Sequence, residues 1–290
     1  MKLSIEKRRS LRGYMFVSPF IVGALLFFVY PIITSLRLSV SKLDSVQGLQ
    51  MHFVGFEQYK NAFMTDMNFV PYLWQSLLNM LRYTPLIVVL SLILAIMINR
   101  NFKLRGLFRV IFFLPFLLGT GYVMNQLLGQ NIQGNSLDIS RGLLVPEQIT
   151  NTFGPMVSGA ISTYLSIITM VLWQSGVQIL LYLSGLQSIS PSLYESARCD
   201  GATEWEIFWK ITLPMLSPII LLTIVFTIVV SFTDMTNPVI MYIYTTTFKT
   251  PPQFEFGAAM GWIYFLIVFV IIGLIFLIMS RFIKNVSGAR

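Results

Sequence analysis

Two long apolar stretches are separated by a short polar segment that begins Tyr194-Glu195-Ser196-Ala197-Arg198-Cys199-Asp200-Gly201-Ala202 and ends Ile211-Thr212-Leu213-Pro214. Gly201 predicts a helix end, because the residue just past a helix often adopts a left-handed backbone that glycine tolerates. Thr203 and Glu206 have the spacing of a capping box, which predicts a second helix start. We therefore expect this polar segment, residues 187–213, to form two short helices joined at Gly201.

The first of these helices has two candidate start positions. Ser192 and Glu195 have capping-box spacing, whereas Ser190-Pro191 would start the helix earlier, because proline suits the first helical position. Three aromatic residues give the second helix a broad apolar side, namely Trp205, Phe208 and Trp209. Two helices of this length cannot bury a core of their own, so we expect them to need a partner surface.

The composition of the chain is that of an integral membrane protein. Of its 290 residues, 55% are hydrophobic and only 11% are charged, whereas soluble domains carry about 25% charged residues. The net charge of +8 comes from basic residues that cluster beside apolar runs, which is a topology signal and gives no reason to expect a nucleic-acid partner. With one histidine and one cysteine, the chain is not expected to hold a disulfide, a metal or a catalytic triad.

Six apolar runs are long enough to cross a bilayer, since a spanning helix needs about 20 apolar residues. They lie near residues 14–37, 75–98, 107–128, 159–186, 214–233 and 259–282. We therefore predict an all-α, polytopic membrane protein with six transmembrane helices, in which residues 1–290 form a single transmembrane domain. Between the first two spans, residues 53–59 are predicted to form a short surface helix at the lipid boundary.

The basic residues predict that both termini, and with them the polar segment, are cytoplasmic. If the N-terminus lies inside, the inner segments hold most of the basic residues: Lys2, Lys7, Arg8, Arg9, Arg12, Arg100, Lys103, Arg105, Arg109, Arg198, Lys210, Arg281, Lys284 and Arg290. Cytoplasmic loops carry such an excess. The first apolar run is longer than that of a signal peptide and shows no small-residue cleavage site, so we expect it to be retained as a span.

The charge of the polar segment favours a protein partner over a lipid surface. Its four acidic residues, Glu195, Asp200, Glu204 and Glu206, outnumber its two basic residues, Arg198 and Lys210. The alternative is a pair of amphipathic helices that lie on lipid headgroups. A net acidic helix pair is a poor ligand for an anionic inner leaflet, so we expect it to bind a protein groove.

The polar segment resembles the signature of the permease subunits of bacterial ABC importers, a Glu-Ala-Ala triplet followed by a glycine and then by Ile-x-Leu-Pro. Here the triplet stands as Glu195-Ser196-Ala197, with Ser196 in place of the usual first alanine. Further stretches resemble the carbohydrate-uptake branch, at residues 54–59, 105–109, 173–176 and 183–189. In its length and its basic N-terminus, the chain is similar to permease subunits of the maltose type.

This resemblance implies a division of labour between chains in the bacterial plasma membrane. The chain would form a heterodimeric pathway with a second, homologous permease, and its polar segment would dock as a coupling-helix pair on one of two ATPase subunits. ATP-driven closure of the ATPases would switch the pathway by alternating access, and an extracellular sugar-binding protein would deliver an oligosaccharide. The implied coupling residues are Glu195, Ser196, Ala197, Asp200, Gly201, Trp205, Ile211, Leu213 and Pro214.

The same resemblance implies that the chain is not an enzyme and carries no cofactor, with ATP and magnesium bound by the partner ATPase. The sequence agrees on one point, because it contains no Gly-x-x-x-x-Gly-Lys-Ser/Thr phosphate loop. We therefore expect the energy for transport to come from another chain.

Polar residues inside the spans are candidates for the substrate path. Gln174 and Gln178 share a helix face, and beside Trp173 they would suit a pyranose, which offers an apolar ring face and many hydroxyls. The alternative is that these amides bond a neighbouring span. Asn79 and Arg82 lie near the outer end of the second span, where Arg82 would either snorkel to the headgroups or face the path and favour an anionic sugar.

Two further pairs complete the candidates. Asp234 and Asn237 end the fifth span, where they would either accept sugar hydroxyls or be solvated as an ordinary helix end. Tyr122 and Asn125 lie in the third span.

Two other functions compete with that of an ATP-driven importer subunit. An ion-coupled secondary transporter of a small polar solute would place ionisable groups near the midplane, and the predicted spans hold almost no carboxylates away from their ends. A membrane enzyme would need clustered His, Asp, Cys or Ser groups, for which one histidine and one cysteine are too few.

Overall fold

The N-terminal part of the chain is a long helix, a hairpin and two further helices. The computed structural model describes residues 5–45, 50–99, 106–107, 110, 167–168, 171–172, 174–234 and 237–287. Its first elements are α1 (Ile5–Ala24), a π-helical turn (Leu25–Val29), α2 (Tyr30–Ser39), β1 (Ser41–Ser45), β2 (Gln50–Phe53), α3 (Glu57–Met64) and α4 (Phe69–Asn99).

The described elements of the C-terminal part are all helices or helical turns. Its elements are α5 (Gly176–Ser188), α6 (Pro191–Cys199), α7 (Glu204–Ile207), a second π-helical turn (Phe208–Thr212), α8 (Leu213–Thr233), α9 (Pro238–Thr247) and α10 (Phe254–Ser287). The predicted all-α fold class is confirmed.

Four helical stretches among the described residues are long and apolar enough to cross a membrane. They are Gly13–Ser39, Phe69–Asn99, Glu204–Thr247, in which residues 235–236 are not described, and Phe254–Arg281. They contain the predicted spans at 14–37, 75–98 and 214–233, and all but the last residue of the span at 259–282. The predicted span at 107–128 lies almost entirely outside the described residues, and the span at 159–186 is described mainly where it enters α5. The polytopic architecture is thus confirmed, whereas the count of six spans stays a prediction.

Contacts between residues divide the chain into two compact units, so the single domain over residues 1–290 also stays a prediction. The first unit consists of Met1–Ser76 and Thr236–Phe269, and the second consists of Leu77–Met235 and Val270–Arg290.

In the first unit, the segment between the first two spans is a hairpin followed by a helix, which corrects the surface helix predicted at 53–59. Phe53 pairs with Ser41 in the antiparallel hairpin. Gly55 then turns the chain at a positive φ of 70°, so α3 begins only at residue 57. The hydroxyls of Tyr59 and Ser39 lie 2.8 Å apart, which fixes α3 against the end of α2.

Asp66 fixes the start of α4. One carboxylate oxygen accepts the backbone N–H groups of Asn68 and Phe69, both at 2.8 Å, and so satisfies donors that a helix start leaves without partners. The other oxygen accepts the Tyr242 hydroxyl at 2.6 Å. The first turn of α4 is thereby tied to α9.

The helix α9 was not predicted from the sequence, and it lies between the spans predicted at 214–233 and 259–282. Pro238 occupies its first turn, a position that proline favours, and Asn237 caps it by accepting the Val239 N–H at 3.0 Å. Its last turn lies directly on α10, because a Cβ atom at Gly257 would lie 2.9 Å from Thr247 Cβ and overlap the threonine hydroxyl.

In the second unit, α4, α5 and α8 share one apolar core. Its buried members are Ala95, Ile98, Ile179, Tyr182, Leu183, Leu186, Ile189 and Leu216. Gly185 brings α5 close to α8, since a Cβ there would lie 2.8 Å from Leu216 Cδ2 and 2.9 Å from Ile219 Cγ1. Small residues allow such close approach of helices in membranes.

We expect Gly257→Ala to destabilise the protein, because the added methyl group would overlap Thr247. Overpacking of this kind costs about 1–3 kcal/mol, which should lower the thermal unfolding midpoint in detergent by several degrees. Gly261→Ala is the matched control in the same helix, because a Cβ at Gly261 has no neighbour within 4 Å. Equal midpoints for the two variants would show that α9 does not pack on α10 in this way.

Candidate functional site

The first helix of the polar segment starts at the earlier of its two candidate positions. Ser190 has an extended backbone at the N-cap of α6, and Pro191 occupies the first turn. The predicted capping box of Ser192 and Glu195 is wrong, because proline sets the helix start two residues earlier. The Ser192 hydroxyl instead lies 2.7 Å from that of Ser190.

Gly201 ends the first helix as predicted. Its φ is +80°, and a Cβ at this position would have no neighbour within 4 Å. The Ala202 N–H reaches back to the Ala197 carbonyl at 2.9 Å, and the Gly201 N–H reaches the Arg198 carbonyl at 3.1 Å. This closing turn needs a left-handed residue, which only glycine adopts without strain.

The capping box of the second helix is confirmed. The Thr203 N–H donates to Glu206 Oε2 at 3.0 Å, and the Glu206 N–H donates to Thr203 Oγ1 at 3.3 Å. Lys210 Nζ donates to the other Glu206 oxygen at 3.2 Å. The hydrogen bond from the Thr203 backbone and that from Lys210 hold the pKa of the Glu206 carboxyl below its ordinary value, so the cap stays ionised at neutral pH.

One face of the polar segment is exposed, charged and aromatic. The exposed residues among those predicted to couple to a partner are Glu195, Ser196, Asp200, Gly201 and Trp205. The Trp205 side chain is 69% exposed and lies edge-on to Trp209, with ring centroids 5.5 Å apart. Exposed indoles beside carboxylates are typical of a protein interface, where tryptophan supplies much of the binding energy.

The opposite face packs into the second unit. Leu193 and Tyr194 contact the apolar core shared by α4, α5 and α8, and Ile207 is buried. The Tyr194 and Thr212 hydroxyls lie 3.2 Å apart. Four other predicted coupling residues are half-buried and so belong to this inner side: Ala197, Ile211, Leu213 and Pro214.

Among the substrate-path candidates, Gln178 is held by a neighbouring helix. Its side chain is 1% exposed, and its Nε2 donates to Thr227 Oγ1 of α8 at 3.1 Å. This contact favours the alternative interpretation, in which the amide forms a hydrogen bond to an adjacent span. Gln174 is half-buried, whereas Trp173 lies outside the described residues.

Asn237 lies in a buried network of three elements in the first unit. Its Nδ2 donates to Ser76 Oγ of α4 at 2.8 Å and to the Tyr264 hydroxyl of α10 at 3.1 Å, while its Oδ1 caps α9. The solvated helix end considered for Asn237 is therefore wrong, because the side chain is only 8% exposed.

Three of the other path candidates lie in the described part of the chain. Asn79 and Asp234 are half-buried and Arg82 is exposed, while Tyr122 and Asn125 lie outside the described residues.

Sequence reasoning missed Ser76, Tyr264 and Thr227, the partners of Asn237 and Gln178. Each lies in a predicted span, where a hydroxyl is a weak signal because Ser and Thr also bond their own helix backbone. Thr227 does so here, with its Oγ1 2.7 Å from the Thr223 carbonyl.

Comparison with known proteins gives a consistent result. A family model described as binding-protein-dependent transport system inner membrane component matches residues 64–288. The probable ABC transporter permease protein YesP of Bacillus subtilis is 31% identical, over 96% of this chain and 94% of that protein. The lactose transport system permease protein LacF of Rhizobium radiobacter is 30% identical, over 92% of this chain and 94% of that protein.

The fold also has a solved counterpart. A chain in the crystal structure of a bacterial alginate ABC transporter, in complex with an alginate pentasaccharide-bound periplasmic protein, aligns with a TM-score of 0.66. The alignment covers 98% of this chain and 99% of that chain at 20% identity, so it shows a shared fold. Neither the family model nor these proteins support the ion-coupled alternative.

We expect Asn237→Ala to lower the thermal unfolding midpoint in detergent, because the change removes the cap of α9 and the donor to Ser76 and Tyr264. Loss of a cap costs about 0.5–2 kcal/mol, and a buried group left without its partner adds about 1–3 kcal/mol. Gln75→Ala is the control, since it removes an amide from an exposed position in α4. An unchanged midpoint for Asn237→Ala would contradict this structural role and would favour the interpretation of Asn237 as a substrate contact.

Proposed function

The chain belongs to the family of binding-protein-dependent transport system inner membrane components, and from this premise we propose that it is the permease subunit of an ATP-driven carbohydrate importer. It carries an oligosaccharide from an extracellular binding protein into the cytoplasm by alternating access. The observation that carries this proposal is the two-sided polar segment, which exposes acidic and indole groups on one face and packs into α4, α5 and α8 with the other.

The exposed face of the polar segment is the docking surface for an ATPase subunit. Glu195, Asp200 and Trp205 contact the ATPase, and Gly201 sets the angle between α6 and α7. ATP and magnesium are bound by the two ATPase subunits, and a second, homologous permease completes the pathway. The half-buried residues Ala197, Ile211, Leu213 and Pro214 fix this surface to the bundle, and Ser196 lies on its exposed side.

A carbohydrate substrate is supported by what the relatives transport. The permease of Rhizobium radiobacter belongs to a lactose transport system, and the structural counterpart belongs to an alginate transporter. Sugars offer many hydroxyls, which amide and carboxylate side chains bind. The path of this chain draws on the polar residues Asn79, Arg82, Tyr122, Asn125, Trp173, Gln174 and Asp234, whereas Gln178 and Asn237 tie helices together.

The chain is a multi-pass protein of the bacterial plasma membrane with both termini and the polar segment in the cytoplasm. The excess of lysine and arginine in the segments assigned to the inside supports this orientation. The hairpin β1–β2 and α3 then lie on the outer side, where the binding protein arrives.

Cys199 offers a direct test of this orientation, because it is the sole cysteine of the chain and is exposed. A membrane-impermeant maleimide should label Cys199 in inside-out vesicles and leave it unlabelled in intact cells. The double variant Cys199→Ser with Lys60→Cys moves the thiol to α3 and should reverse the pattern. Labelling of Cys199 from outside the cell would contradict the proposed function.

Glu195→Lys and Gly201→Val should prevent the chain from engaging the ATPase while leaving membrane insertion intact. The first reverses a charge on the exposed face, and the second places a β-branched residue at φ +80°, which costs about 1–2 kcal/mol. We expect ATPase and second permease to co-purify with the wild type, and both ATPase co-purification and stimulated ATP hydrolysis to fall at least about tenfold in the variants, as for an interface hot spot.

The matched control is Glu57→Lys, which reverses an exposed acidic residue of α3 and should leave ATP hydrolysis unchanged. If the two polar-segment variants hydrolyse ATP normally, the segment does not dock on the ATPase. If the wild type brings down no ATPase at all, the importer assignment itself fails.

A further inference from the structure

The two halves of the polar segment are joined by one partly buried side-chain hydrogen bond. The hydroxyls of Tyr194 in α6 and Thr212 at the start of α8 lie 3.2 Å apart. Thr212 is 6% exposed, and Tyr194 packs against the apolar core of α4, α5 and α8. The contact therefore links α6 to the base of α8 at a point that is partly shielded from water.

The π-helical turn Phe208–Thr212 supports this contact. In such a turn the backbone takes one extra residue per turn, so side chains change direction at its end. Thr212 Oγ1 lies 3.5 Å from the Ile207 carbonyl, five residues earlier, and faces Tyr194 on its other side. π-turns inside helices occur often at functional sites.

The other described links between the two halves are weak. Arg198 and Glu204 form an ion pair of 2.9 Å, but their side chains are 58% and 78% exposed. Exposed pairs of this kind contribute little to stability. At Gly201, the joint itself, a Cβ would have no neighbour within 4 Å, so the joint is held by the backbone hydrogen bonds of its closing turn.

The helices on either side of the polar segment form one packed pair. Gly185 lets α5 contact Leu216 and Ile219 of α8, and Gln178 bonds Thr227 further along the same pair. A load applied to α6 reaches α5 through the short connection at residues 189–190. It reaches α8 through the long connection around Gly201, or directly through Tyr194 and Thr212.

We propose that Tyr194 and Thr212 are a positioning pair that holds α6 rigidly on α8, so that displacement of the exposed face moves α5 and α8 together. This inference rests on the proposed coupling function. Without the pair, α6 turns about Gly201 and its displacement reaches α8 only indirectly, through α5. Neither residue contacts the ATPase, because the Tyr194–Thr212 contact lies on the inner face of the polar segment.

The test measures the distance between α6 and α8 in the full chain. Spin labels are attached to Cys199, which is exposed, and to a Leu222→Cys variant on the exposed side of α8, with the protein in lipid nanodiscs. Pulsed electron spin resonance then gives the distribution of label distances. We expect a narrow distribution for the parent chain and a broad one for Tyr194→Phe, with the detached population raised about fivefold, as expected for the loss of one net hydrogen bond.

A set of matched variants separates the hydrogen bond from general damage. Thr212→Val should broaden the distribution like Tyr194→Phe, and the double variant should be no broader than either, because both remove the same contact. Thr212→Ser keeps the hydroxyl and should restore the narrow distribution. Tyr14→Phe, an exposed position in α1, should have no effect.

The proposal and the docking function fail in different ways. Unlabelled Tyr194→Phe should still co-purify with the ATPase, in contrast to Glu195→Lys. A narrow distribution in Tyr194→Phe and Thr212→Val, or a broad one in Thr212→Ser, would overturn the positioning role even if the ATPase binds. Loss of ATPase co-purification in the parent chain would overturn the docking function even if the distributions behave as expected.

Discussion

The close contact between α5 and α8 is the constraint on which the polar segment depends. Gly185 allows the two helices to approach until Leu216 and Ile219 lie against the α5 backbone, and α4 closes the same core through Ala95 and Ile98. The polar segment is the connection between these two helices, so their packing fixes where it begins and ends. Two helices as short as α6 and α7 have no other scaffold.

Hydrogen bonds between helices supplement this packing. Gln178 bonds Thr227 within the second unit, and Asn237 joins Ser76 and Tyr264 within the first. Lipid offers no water to satisfy such groups, so a polar side chain in a span must find a partner on a neighbouring helix or line a hydrated path. The same residue type therefore links two helices when it faces a neighbouring helix, and it can contact substrate when it faces a hydrated path.

The polar segment combines two surfaces that a coupling element requires. Its inner face, with Leu193, Tyr194 and Ile207, is part of the bundle, whereas its outer face exposes Trp205 and carboxylates. In an importer permease, a force on the outer face is useful only if the inner face passes it to spans that move together. The partly buried contact of Tyr194 and Thr212 is placed to meet that requirement.

The sequence by itself determined the features that depend on neighbouring residues. Apolar length defined the four described spans, Gly201 marked the left-handed helix end, and Thr203 with Glu206 marked the second cap, because each involves only a few successive residues. The tertiary structure alone decided the hairpin at 41–53, the helix α9, and the burial of Asn237 and Gln178. Those outcomes depend on which helices meet, and a polar residue in a span reads the same in sequence whether it faces a sugar path or a threonine of the next helix.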